Sequence, residues 1–260
     1  MKVELQCEHK LAIRSAIEAA AIVLCYFRTS KLETTFKADN SPVTLADLKS
    51  SQHIMSQLKT TGIPVLSEEG VQVNYEERKS WNELWIVDPL DGTKEFIAGR
   101  ENFAINIALV KSGKPTFGVI VIPVSGDVYF GGKQFGSYHT KVSDPELDDI
   151  NVLPRKNTPL DILVVTGGKA TDSSFFTETD LVSKSYSSFE FMQVASSVKF
   201  CLLAEGVADI YPRDYPCMEW DTASGHAILN GVGKDIYRKD SGIPLRYNKE
   251  DLYVPFFISS

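Results

Sequence analysis

The sequence predicts an α+β half followed by an α/β half, and three observations predict it. Two long stretches near the start, residues 5–27 and 41–58, carry apolar side chains at helical spacing. Residues 102–138 hold three runs, NFAINIALV, TFGVIVIPV and DVYFGG, rich in β-branched and aromatic side chains and separated by the turn sequences SGKP and SGD. Beyond a polar stretch over 140–159, strand-like and helix-like segments alternate to the end of the chain.

In chain order, Leu5, Ile13, Ile17, Ala20, Leu24 and Phe27 define the first amphipathic helix. In SPVTLADLKSSQHIMSQL, Thr44 is the expected N-cap of the second, with Asp47 three residues on. IPVLSEE reads as a short strand running into two glutamates, and ELWIV as a strand leading into DPLDGT. The runs after Asn102 form an antiparallel meander. The stretch 140–159 contains Pro145, Pro154 and Pro159 and marks a boundary between an N-terminal α+β subdomain, 1–140, and a C-terminal α/β subdomain, 141–260. DILVVTGG, SYSSFEF, DIYP and DIYR then read as strands. A segment near 172–181, ASSVKFCLLAEG and TASGHAILNG read as helices between them.

With 260 residues, 43% of them hydrophobic, the chain buries a substantial core as one large domain or two closely packed subdomains. The net charge is −7 and no basic patch stands out, which argues against nucleic acid or an anionic membrane as partner. Cys7, Cys25, Cys201 and Cys217 form no CxxC and no regular spacing with histidine, so free thiols in a reducing cytoplasm are expected. MKVELQCEHK lacks the layout of a signal peptide, and AAAIVLCYF is too short to span a bilayer. Neither GxSxG nor GxxxxGK[ST] occurs, which disfavours a serine hydrolase and a P-loop enzyme. His9, His53, His139 and His226 lack metal-ligand spacing.

The segment WIVDPLDGTKEF carries the most chemistry. Pro89 fixes its own φ and holds Asp88 extended at the end of the strand. Asp91 follows one turn later, positioned to cap a short helix, GTKEFIAG. Gly92 lets the backbone approach a ligand, and the first N–H groups of that helix, near Gly92 and Thr93, suit a phosphate. Carboxylates and a phosphate side by side require a cation between them, and all-oxygen ligands point to magnesium. Taken singly, each feature has an ordinary structural reading. Asp88 and Asp91 suit a turn and a cap, Glu68-Glu69 a solvated corner, Asp221 in EWDTASGH an N-cap, and Asp47 half a capping box. Lys199 and the serines before it suit a solvated helix start.

Together the segments TLAD, SEE, WIVDPLDGTKEF and WDTASGHA, in that order, resemble the inositol monophosphatase superfamily of metal-dependent, lithium-sensitive phosphatases. Lys94-Glu95 after DGT, SSVKFCLLAEG, and YPR before WDTA look like its 3′(2′),5′-bisphosphate nucleotidase (CysQ-type) branch. The resemblance implies a layered αβαβα sandwich and two or three Mg²⁺ ions. It implies metal ligands at Glu68, Asp88, the Leu90 carbonyl, Asp91 and Asp221, and a water-activating pair at Thr93 and Asp47. It implies a scissile-phosphate site at the Gly92 and Thr93 amides, and contacts to the rest of a nucleotide from Ser196, Ser197, Lys199 and Arg213. The implied reaction removes the 3′-phosphate of adenosine 3′,5′-bisphosphate. An inositol or sugar-bisphosphate phosphatase on the same scaffold, or a catalytically silent metal- and nucleotide-binding protein, are the alternatives. Ala195, Arg100–Asn102 and the loop DYPCME, Asp214–Glu219, depart from the branch pattern, all on the substrate side.

Overall fold

The computed structural model describes residues 3–27, 34–36, 42–71, 73–144, 146–154, 162–167 and 188–260. Helix α1 (Cys7–Phe27) comes first. The antiparallel ribbon β1 (Thr34–Phe36) and β2 (Pro42–Thr44) leads into α2 (Leu45–Leu58). The capping box forms as expected: Thr44 Oγ1 accepts from the Ala46 amide at 3.1 Å, while Asp47 Oδ2 accepts from the Thr44 amide at 2.8 Å.

A seven-stranded sheet forms the centre of the molecule. In spatial order it comprises β3 (Val65–Ser67), β4 (Glu83–Asp91), β5 (Ala104–Lys111), β6 (Lys114–Ile122), β7 (Asp127–Gly132), β8 (Gly136–Lys141) and β9 (Asn151–Val152). All its pairings are antiparallel except β3 with β4, which run parallel and bring Ser67 beside Val87. The one-turn helix α3 (Tyr75–Arg78) joins that parallel pair, and α4 (Thr93–Ile97) follows β4.

Strand periodicity divides the core in two. Trp85, Val87, Ile105, Ile107, Leu109 and Val119 face one way, onto Ala12, Ala16, Val23 and Ile54 of α1 and α2. Leu84, Ile86, Ala104, Ala108, Val110 and Ile120 face the other way. They pack on α5 (Val198–Glu205) and α6 (Ala223–Gly231) through Phe200, Leu203 and Ile228. The same alternation puts Asp88 on the α5/α6 side, with Asn106 its direct partner in register on β5. Gly118 on β6 permits the close approach of α6, since a Cβ there would lie 2.2 Å from the Ser224 carbonyl oxygen.

Beyond α5 and α6 lie smaller sheets. β10 (Ile162–Gly167) pairs in parallel with β11 (Ser188–Gln193). β12 (Tyr211–Arg213), β16 (Phe257–Ser259) and β14 (Ile236–Arg238) form a three-stranded antiparallel sheet, and β13 (Cys217–Met218) pairs with β15 (Tyr253–Val254). The Thr166 amide reaches the Ile210 carbonyl at 3.0 Å, joining β10 to the approach to β12. Four layers, helix, sheet, helix, sheet, are thus described. The helix expected near 172–181 lies outside the described residues.

Candidate active site

The candidate carboxylates Asp88, Asp91 and Asp221 come from the end of β4 and the entrance to α6, while Asp47 comes from the first turn of α2. Asp88 is almost fully buried, and its Oδ1 accepts from the Leu90 amide at 3.0 Å. Pro89 and Leu90 lie at an irregularity in the β4–β5 pairing, between Asp88 and Asp91. This break in the ladder lets two aspartates three residues apart converge. Asp221 closes the 3₁₀ turn Glu219–Asp221 ahead of α6, and its Oδ2 accepts from the Met218 amide at 2.8 Å. One carboxylate oxygen from each of Asp88, Asp91 and Asp221 lies within 4.8 Å of the others. Glu68 is outside that trio but follows β3, with its amide 3.1 Å from the Val87 carbonyl.

The cluster is electrostatically unsatisfied by protein alone. Burial first, then the charges of Glu68, Asp91 and Asp221, push the Asp88 carboxyl well above the ordinary carboxylate range. Burial and the neighbouring Asp91 raise Asp221 as well, against the opposing charge of Arg213. A half-buried set of hard oxygens matches the donor preference of a small divalent cation.

Asp47 and Thr93 meet across 46 residues of chain: Thr93 Oγ1 donates to Asp47 Oδ1 at 2.9 Å and lies 3.2 Å from the Leu90 carbonyl oxygen. The other oxygen of Asp47 holds the helix cap and the Thr44 hydroxyl at 2.6 Å. The capping and relay geometries therefore coexist on one carboxylate. Burial raises the Asp47 pKa, and the hydrogen bonds from Thr44 and Thr93 offset part of that rise. Gly92, not Asp91, precedes α4 as its N-cap, at φ 95°. The Asp91 carboxylate is engaged elsewhere: its Oδ2 accepts from the Ser196 hydroxyl and the Ser197 amide, both at 2.6 Å, and from Asn106 Nδ2 at 3.3 Å. Ser196 adopts φ 59° to do this, and Ser197 Oγ donates to Asn106 Oδ1 at 2.7 Å instead of capping α5.

Lys199 is buried, not solvated. Its ammonium lies 5.2 Å from the Tyr211 ring centroid and donates to the Ser196 and Val194 carbonyls, and burial lowers its pKa to about 8. Arg213 donates to the Tyr211 hydroxyl at 3.0 Å and to the Tyr215 carbonyl at 3.3 Å, with its guanidinium 4.3 Å from the Tyr215 ring centroid. Asp91, Ser196, Ser197, Lys199, Arg213 and Asp221 line a cleft of about 170 Å³ together with Tyr211 and Tyr215. Glu95 pairs with Arg100. The histidines lie apart from the carboxylate trio: His9 stacks on Phe117, His53 meets Glu18, His139 meets Asp127, and His226 meets Asp235 and Tyr247.

Sequence reasoning missed Asn106, Tyr211 and Tyr215. Asn106 carries a legible signal, a lone amide in the apolar run AINIALV. Tyr211 opens YPR and Tyr215 lies in DYPCME, and both read as ordinary aromatics.

The model of the inositol monophosphatase family matches residues 4–255. The chain belongs to the inositol monophosphatase family. Within the family it is 36% identical over 236 residues to the 3′(2′),5′-bisphosphate nucleotidase CysQ of Shigella flexneri, covering 90% of this chain and 91% of that protein. The CysQ of Escherichia coli K12 is 35% identical over 236 residues, with the same coverage. Among solved structures, CysQ from Bacteroides thetaiotaomicron superposes with a TM-score of 0.85 at 39% identity, covering 98% of this chain and 97% of that one. The suhB protein of Bartonella henselae shares the fold, with a TM-score of 0.74 at 22% identity. The expected layered α/β fold and the CysQ-type resemblance both stand. No helix among the described residues is long and apolar enough to cross a membrane.

Proposed function

We propose that this chain is a magnesium-dependent 3′(2′),5′-bisphosphate nucleotidase, hydrolysing the 3′-phosphate of adenosine 3′,5′-bisphosphate to AMP and phosphate. The observation that carries the reading is the convergence of Asp88, Asp91 and Asp221 beside the Thr93–Asp47 pair, at the mouth of a cleft holding Lys199 and Arg213. The 35–36% identity to CysQ proteins over nine-tenths of the chain supports the substrate class. So does the Arg213–Tyr215 stack, which offers a cation and an exposed ring to a nucleoside phosphate.

Glu68, Asp88, Asp91, Asp221 and the Leu90 carbonyl would hold two or three Mg²⁺ ions. Bound there, the ions supply neutralisation of four carboxylates and the phosphate, acidification of a water, and stabilisation of the leaving 3′-oxygen. The protein groups do the rest. Thr93 commits its one proton to Asp47 and keeps its lone pairs to accept from the attacking water. The proton drawn from that water passes through Thr93 towards Asp47, whose burial-raised basicity suits it to receive it. The N-terminus of α4 behind Gly92 and Thr93 faces the phosphoryl oxygens as they gain charge. Lys199 has three donors and uses two on carbonyls, leaving one for the second phosphate or the ribose. The four free thiols, two of them exposed, support a reducing, cytoplasmic location.

The test compares phosphate release from adenosine 3′,5′-bisphosphate, inositol 1-phosphate and fructose 1,6-bisphosphate, with Mg²⁺, with EDTA and with added Li⁺. Mg²⁺-dependent release chiefly from the nucleotide is expected. Preference for inositol or sugar phosphate would move the assignment to another branch, and binding without turnover would make the protein a sensor. Replacing Lys199 by Ala should raise the nucleotide KM about tenfold or more while largely sparing kcat.

A further inference from the structure

A cavity of about 600 Å³ lies between the start of β6, the β7–β8 turn, α6 and residues 243–246. It shares no residue with the catalytic cleft. Its size falls within the range of pockets that take small molecules.

Its charge is unusual for this molecule. Lys114, Lys133 and Arg246 all line it and all are exposed, on a chain of net charge −7. Among the described residues none of the three pairs with a carboxylate, and Arg246 reaches only the Ser112 carbonyl, at 3.5 Å. Other lysines of the same sheet are neutralised: Lys111 meets Glu83 and Lys141 meets Asp127, each at 2.7 Å. The acid in the wall, Asp235, is spent on His226 at 2.6 Å and on the Ile236 amide at 2.8 Å. Lys114, Lys133 and Arg246 thus give the hollow a positive rim that suits an anion. Pro115, Ile243 and Pro244 supply an apolar wall, with Ile243 more than half exposed. The complementary ligand is an anion attached to an apolar body.

The cavity is also joined to the catalytic carboxylates. His226, in its wall, meets Asp235 through Nε2 and the Tyr247 hydroxyl through Nδ1, at 2.9 Å. The Tyr247 hydroxyl lies 3.3 Å from Thr222 Oγ1, and Thr222 adjoins Asp221. The Glu219 carboxylate, two residues before Asp221, accepts from the amides of Asn248 and Lys249 at 2.6 and 3.1 Å. The residues just after Arg246 are thus tied to Glu219 and Thr222, on either side of Asp221.

We propose that this cavity is a second, non-catalytic binding site for a phosphorylated small molecule, and that its occupancy is transmitted to Asp221 through Tyr247. The phosphate sits among Lys114, Lys133 and Arg246, and the organic body lies on Pro115, Ile243 and Pro244. The inference does not depend on which phosphate ester the catalytic cleft cleaves.

The experiment is titration calorimetry of the wild-type protein with AMP, beside inorganic phosphate and adenosine, and the same titrations on the Lys133→Ala/Arg246→Ala double variant. The wild type is expected to bind one more AMP per chain than the variant, or to lose about tenfold or more in affinity there on mutation, with kcat and KM unchanged in the absence of AMP. Inorganic phosphate and adenosine should each bind that site more weakly than AMP. Equal stoichiometry and affinity in the two proteins would overturn the site. Transmission is read with Tyr247→Phe. This variant should keep the wild-type AMP stoichiometry but lose the kcat change that AMP produces in wild type and not in the Lys133→Ala/Arg246→Ala variant; no such change in wild type, or one equal in Tyr247→Phe, would overturn transmission.

Discussion

Asp47 serves two neighbours with two oxygens, one holding the start of α2 and the other taking the Thr93 hydroxyl. The cap fixes the carboxylate, and the fixed carboxylate orients Thr93. A Thr93→Val change removes only the hydroxyl. We expect kcat to fall by about 10²–10⁴-fold with a nearly unchanged KM and thermal midpoint, measured by steady-state kinetics beside circular dichroism. A kcat within about threefold of wild type would remove Thr93 from the mechanism. Asp91 has a different economy: one oxygen accepts from Ser196, Ser197 and Asn106. Asp91→Asn keeps the shape and deletes the charge. Turnover should vanish while the melting curve stays cooperative, and near-normal activity would contradict its assignment as a metal ligand.

At the scale of elements, α6 carries the carboxylate of Asp221 at its entrance and rests on bare backbone at Gly118. Gly118→Ala would put a methyl 2.2 Å from the Ser224 carbonyl oxygen, so the helix must shift. A cost of about 1–3 kcal/mol is expected from overpacking, together with weaker Mg²⁺ affinity as Asp221 moves. Chemical denaturation and a metal titration on the same variant check both. The elements legible in sequence were those with strong periodicity: α1, α2 and the β5–β7 meander fall within a few residues of expectation. β8 was hidden because GSYHTK looks polar, although Tyr138, His139 and Thr140 are buried, with His139 satisfied by Asp127 at 2.6 Å. β9, β13 and β15 are two residues each, too short for any alternation to register. At the site, motif order revealed the carboxylates. It did not reveal that Asp91 turns to the α5 entrance instead of capping α4, because that depends on a contact between residues 105 positions apart.

For the whole molecule, the buried acids set an unusual pH response. Asp47, Asp88, Asp221 and Glu219 are all raised from their usual values, Asp88 well above and Asp221 to about 6, burial being the largest cause in each. A raised folded pKa means that the ion-free native state holds protons the unfolded chain has released. The stability so gained is complete below the unfolded carboxylate value of about 4 and is lost as pH rises through the raised values. Asp235, shifted downward by hydrogen bonds from His226 and Ile236 that outweigh its burial, titrates below that window. In EDTA, acidifying from about pH 7.5 to about pH 6 should therefore raise the melting temperature through Asp88 and Asp221, with buried His9, whose pKa is lowered, opposing in part. In saturating Mg²⁺ the same step should leave it level or lower it, because protons compete with the ions for the same oxygens. Identical slopes with and without chelator, in a calorimetric series, would refute the coupling. The parallel register of β3 against β4 carries this further. β3 is three residues long, sits at the rim of the sheet, and is followed by Glu68, whose charge is felt at Asp88. An ion gripping both Glu68 and Asp88 would act as a clasp across that rim, so amide hydrogen exchange at Val65–Ser67 should slow on loading while the interior of β6 stays unchanged.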